Sequence, residues 1–134
     1  MPKVSELYFK TAIVFLLVGI GVGLHMSISG NHESTGAHAH VNLLGWVTMA
    51  LFGTYFALVP HKAQRRIAMV QYGVYTLGCI IMLPSLYLML SGKPSLEPLV
   101  AVGSLIVLAG VLLFAFVLFT GESTSVRSDM RAAE

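Results

Sequence analysis

Long apolar runs separated by short polar breaks dominate the chain. Four runs, Phe9–Ile28, Val41–Val59, Ile67–Leu90 and Leu99–Thr120, contain no Asp, Glu or Arg, and Lys10 sits only at the edge of the first. Each is close to the ~20 residues a helix needs to cross ~30 Å of hydrocarbon. The pattern predicts four transmembrane helices within residues 1–120 and a polar tail over 121–134. Connections of about 11, 7 and 8 residues predict antiparallel neighbours, so the expected fold class is all-α, an integral membrane up-down four-helix bundle.

Composition agrees with the pattern. The 134 residues are 56% hydrophobic and 10% charged, and the mean hydropathy is +0.81, far from a soluble globular domain. The first run is longer than the apolar core of a signal peptide, and Gly30-Asn31-His32-Glu33 follows it instead of a small-residue cleavage site, so a retained helix is expected. Cys79, the single cysteine, lies inside the third run and reads as a small core residue.

The position of charge matters more than its total of +2. Lys3, Lys10, Lys62, Arg65, Arg66, Arg127 and Arg131 fall in the N-terminus, the second loop and the tail, and Lys93 alone falls on the other side. The bias of basic residues toward the cytoplasm predicts cytoplasmic termini in a bacterial inner membrane, with the loop Ser29–Ala39 facing outward. His61 belongs to the inner basic loop, where anionic headgroups are its expected company. The lipid bilayer is the expected surrounding, and no nucleic-acid partner is expected.

Helix contacts are also foreshadowed. Gly19 and Gly23 form a GxxxG pair, Gly45 and Gly53 lie eight residues apart, and Gly103 and Gly110 lie seven apart. Each pair offers a smooth seam for close approach of another helix. Gln71, Tyr75 and Cys79 recur every four residues and predict a hydrogen-bonding stripe facing the interior. Pro84 falls inside the third run, where a membrane helix tolerates it with a kink.

Five histidines stand out in so apolar a chain, and His25, His32, His38 and His40 lie within sixteen residues. His25 ends the first helix and His40 opens the second, so an antiparallel hairpin sets both at one depth, where two imidazoles could converge. His38 and His40 point about 200° apart if both are helical, and either could be the main ligand. Below His40, the residues Leu44, Val47 and Leu51 form an apolar strip, the surroundings a buried porphyrin requires. Heme b held by His40 and His25 is the first expectation, serving electron transfer or heme handling. The second is copper or zinc on His40, His25, His38, His32 and Glu33. A third is a structural or assembly subunit of a respiratory complex, with incidental histidines. Asn42 either orients a ligand histidine or ties two helices, and Trp46 either anchors at the interface or walls a cofactor.

The segment HAHVNLLGWVTMALFGTYFALVP resembles the second helix of catalytic subunit I in the heme-copper oxidase superfamily, especially its nitric oxide reductase and C-type oxidase branches. The resemblance covers Tyr8 to Pro60, and His40-Val41-Asn42 to Gly45-Trp46 is its specific part. It implies that His40 is an axial ligand of a low-spin heme. The superfamily's remaining heme and copper ligands come from later helices that nothing in this chain matches. Reduction of oxygen or nitric oxide is therefore not expected, and the missing ligand would come from His25 or a neighbouring subunit. A homo-oligomer, with a possible respiratory-chain partner, is the expected assembly.

Overall fold

A computed structural model describes residues 1–121 and 130–134. Helix α1 spans Lys3–Ser29, α2 Thr35–Leu58 and α3 Arg66–Leu90, each long and apolar enough to cross a membrane. Helix α4, Glu97–Phe119, is entered through a 3₁₀ turn at Pro94–Leu96. Among the described residues there is no strand. The chain is an all-α bundle of four such helices, as expected of a multi-pass membrane protein. The polar tail expected from Gly121 lies mostly outside the described residues.

The helices run past the apolar stretches that announce them. Hydrocarbon thickness limits the apolar length, but a helix continues wherever its ends find partners. In the first turns of α1, Ser5 Oγ donates to the Gly53 carbonyl at 2.7 Å and Lys10 pairs with Glu6 at 2.6 Å. Helix α2 begins at Thr35, whose Oγ1 donates to the His32 carbonyl.

Contacts along the helices establish the topology. Gly53 meets Tyr8, Gly45 meets Phe15, Asn42 meets Gly19 and His38 meets Gly23, so α1 and α2 run antiparallel. Tyr75 meets Gly110, Gly78 meets Val107 and Met82 meets Gly103, so α3 and α4 do too. All three expected glycine seams are in use. Helices in lipid associate by close packing and not by hydrophobic exclusion, which is why small residues occupy the contacts.

The two hairpins join through an aromatic core. Phe114 of α4 lies 4.1 Å from Phe52 and 5.8 Å from Phe56 of α2, centroid to centroid, and Tyr8 of α1 packs on the same two rings. Gln71 is fully buried among them. Its side-chain oxygen accepts from Tyr8 and its Nε2 donates to the Gly110 carbonyl at 3.2 Å, linking α1, α3 and α4. The polar stripe of α3 is thus a hydrogen-bond seam. Gln71→Leu is expected to cost about 1–2 kcal/mol, the size of interhelical hydrogen bonds in membranes, as read by unfolding in lipid nanodiscs. No change would deny the seam a structural role.

The basic connection between α2 and α3 packs against the end of α4. Lys62 is 1% exposed, and its Nζ donates to the Leu118 carbonyl at 2.8 Å. Arg65 donates to Thr120 Oγ1 at 3.2 Å. Two cations therefore cap the C-terminal carbonyls of α4, where the helix dipole favours positive charge. His61 is exposed. Large apolar side chains remain uncovered on the outside, among them Leu105 at 66% on α4, the surface expected to lie against lipid.

Candidate functional site at the histidine end

The loop joining α1 to α2 and the loop joining α3 to α4 lie at one end of the bundle, tied by a 3.1 Å hydrogen bond between the Ser34 and Ser91 hydroxyls. Four histidines are at this end. Two of them, on one turn of α2, have opposite surroundings.

His38 turns inward. Its Nδ1 lies 2.9 Å from the Gly19 carbonyl oxygen, and because a carbonyl only accepts, Nδ1 carries the proton. Asn42 Nδ2 donates to the His38 carbonyl at 2.9 Å; its 3.4 Å approach to His38 Nδ1 brings two donors together and is a contact. A Cβ on Gly23 would stand within 3.6 Å of Nδ1, Cε1 and Nε2 of the His38 ring, so α1 crowds that ring. The GxxxG pair of α1 therefore receives a His-x-x-x-Asn pair of α2. Asn42 packs against Gly19 of α1, while its amide hydrogen bond stays within α2.

His40 turns outward. Its ring is exposed, and Nδ1 lies 2.7 Å from the Gly36 carbonyl, one turn back on its own helix. That bond places a proton on Nδ1, so that in the neutral imidazole Nε2 is the nitrogen carrying the lone pair. A ligating histidine is ordinarily held in this way, with the remote nitrogen oriented by a backbone carbonyl.

His25 is exposed as well, and among the described residues no hydrogen bond holds its ring. It lies two residues from Gly23, hence about 200° around α1 from a position that meets α2. His32 and Glu33 are exposed in the loop, where Glu33 is engaged by Asn31 through its backbone N–H at 2.9 Å. Among the described residues, no three His, Cys, Asp or Glu side chains gather closely enough to hold a metal ion.

One feature that the sequence pattern does not announce follows His40 directly. Residues Val41–Thr48 form a π-helix within α2, a form that recurs at functional sites because it re-aims side chains. Thr48 Oγ1 donates to the Leu43 carbonyl five residues back at 2.8 Å, and Tyr75 of α3 donates to the Leu44 carbonyl at 3.0 Å. The wider turn changes the strip expected below His40. Leu44 packs against the core, and the exposed apolar residues are Leu43, Trp46, Val47 and Leu51. No periodicity based on 3.6 residues could show this.

A separate groove of about 330 Å³ opens between α1 and α3, lined by Phe15, Val18, Val22, Ala37, Val41, Leu83, Pro84 and Tyr87 among others. No histidine lines it, so it cannot present an imidazole to a porphyrin. Helix α3 continues through Pro84 to Leu90 beside it.

Comparison with known protein families, characterised proteins and solved structures finds no match to this chain. The chemistry must come from the donor set itself. An imidazole whose neutral tautomer is fixed by a backbone carbonyl, with exposed apolar neighbours, suits one axial position of a porphyrin iron. It suits a bare ion poorly, because hard or borderline ions want three or four donors in one place.

Proposed function

We propose that the protein binds heme b through His40 and serves electron transfer or heme handling in a bacterial inner membrane. The observation that carries this reading is the 2.7 Å bond from His40 Nδ1 to the Gly36 carbonyl, which prepares Nε2 as a ligand on an outward, apolar face. The resemblance of His40 to Trp46 to the heme-ligating helix of the oxidase superfamily supports the same residue. Exposed Leu43, Val47 and Leu51 would flank the macrocycle, with Trp46 on the adjoining surface. Bound heme supplies a one-electron couple; the chain orients the imidazole and excludes water from its flank.

The orientation belongs to the proposal. Lys3, Lys62, Arg65 and Arg66 lie at the end opposite the histidines and Lys93 lies at the histidine end, so the positive-inside bias puts both termini in the cytoplasm and His40 toward the outer face.

Titration of ferric heme into the purified protein in nanodiscs tests the reading. A saturable Soret shift to a low-spin, imidazole-ligated spectrum is expected. A flat titration, with copper or zinc found instead by elemental analysis, would replace heme with a metal ion.

A further inference from the structure

The groove between α1 and α3 lies in the histidine-end half of the bundle. Along α1 it runs from Phe15 to Val22, and along α3 it follows the last two turns, from Leu83 to Leu88. At 1.5 Å per residue the α1 side is about 10 Å long, out of the ~15 Å that one leaflet of a ~30 Å hydrocarbon core provides. Spread over that length, its volume of about 330 Å³ leaves a passage roughly 6 Å across, too narrow for a helix about 10–12 Å wide. Water does not suit it either, because a bound water needs polar partners and the lining is apolar. Val18 and Leu88 line the groove and are 49% and 38% exposed, so it opens sideways, where the bilayer lies. A single hydrocarbon chain fits these limits.

A charge stands at the end of the groove nearest the loops. The Leu88 carbonyl accepts the backbone N–H of Lys93 at 3.1 Å, so Lys93 is rooted beside a residue that lines the groove. It is exposed, it is the one lysine or arginine in the two loops at this end, and among the described residues no carboxylate pairs with it. Its ammonium rides on a flexible four-carbon stem, which suits a phosphate at headgroup level. We infer that the groove binds one phospholipid, with an acyl chain laid along Phe15, Leu83 and Pro84 and the phosphate on the Lys93 ammonium. Chain and phosphate belong to one molecule, which distinguishes this lipid from those that pass over exposed leucines elsewhere on the bundle. The position of Lys93, apart from the other basic residues, then has a cause. None of this depends on heme.

Native mass spectrometry of the whole protein in mild detergent tests the site, with phosphatidylglycerol titrated beside diacylglycerol of the same chains. The wild type should hold one phosphatidylglycerol per chain and bind diacylglycerol about fivefold more weakly, the worth of one basic side chain at an anionic headgroup. Lys93→Gln should bring the two lipids level. Val18→Phe, which puts bulk into the groove, should lose both adducts, whereas Leu17→Phe, at an exposed neighbour outside the groove, should keep both. Equal binding of the two lipids by the wild type would overturn the phosphate contact. A flat titration, or full binding by Val18→Phe, would overturn the lipid site. A wild-type dimer that Val18→Phe splits into monomers would give the groove to a second copy instead.

Discussion

Gly19→Leu is expected to unpack the α1–α2 hairpin, while Gly21→Leu, two residues further along the same helix, is expected to leave it intact. A Cβ at Gly19 would stand 2.6 Å from Asn42 Oδ1 and 2.8 Å from its Nδ2, whereas one at Gly21 would meet nothing within 4 Å. Asn42 cannot swing aside cheaply, since its Nδ2 is held by the His38 carbonyl. Overpacking of this kind costs about 1–3 kcal/mol, and here the separation of the helices would also break the bond from His38 to the Gly19 carbonyl. Substitutions on open surface usually stay within about 0.5 kcal/mol. Unfolding of both variants in nanodiscs decides the matter. Equal losses at the two positions would mean that the seam between α1 and α2 lies elsewhere.

The second large effect separates two histidines that sit two residues apart. His40→Ala should cost heme affinity more than the roughly 10–100-fold lost when only a ligand's supporting partner is removed. Its effect on stability should be small, because the ring is exposed and its one bond is to its own helix. His38→Ala should do the reverse. It removes a half-buried ring and its donor to Gly19, at a cost of about 1–3 kcal/mol, and leaves the heme ligand in place. Paired heme titrations and unfolding curves for the two variants give the comparison. If His38→Ala abolishes heme and His40→Ala does not, the ligand has been assigned to the wrong residue.

Much of this architecture is readable from spacing alone. Four apolar runs become four helices, the paired glycines become helix contacts, and Gln71, Tyr75 and Cys79 become one buried stripe, because each depends only on rotation per residue and on length. The 200° between His38 and His40 is equally legible. Which of the two faces inward is harder to read, since Ala37 and Ala39 beside them carry no directional information. A signal was nonetheless present: Gly19 and Gly23 are four apart, as are His38 and Asn42, so two small residues could receive two large ones at matching spacing.

Other features lie beyond periodicity because their causes are distant in sequence. Tyr8 finds Gln71 across 63 residues, and Lys62 reaches Leu118 across 56. A basic loop read by itself suggests headgroups, and only the position of the α4 terminus reveals a cap. The π-helix has a partner from another helix as well, Tyr75 on the Leu44 carbonyl. The expected meeting of His25 and His40 rests on equal depth in the membrane. Depth is only one coordinate, and the rotation of each helix about its own axis is a second that spacing alone does not supply.

The most direct measurement is the reduced-minus-oxidised visible spectrum of the protein isolated from membranes, recorded for the wild type beside His40→Ala. Sharp low-spin b-type bands are expected in the wild type, and their loss in the variant at unchanged protein yield. A wild-type preparation without those bands that also fails to acquire them from added heme, or a His40→Ala variant that keeps them, would contradict it.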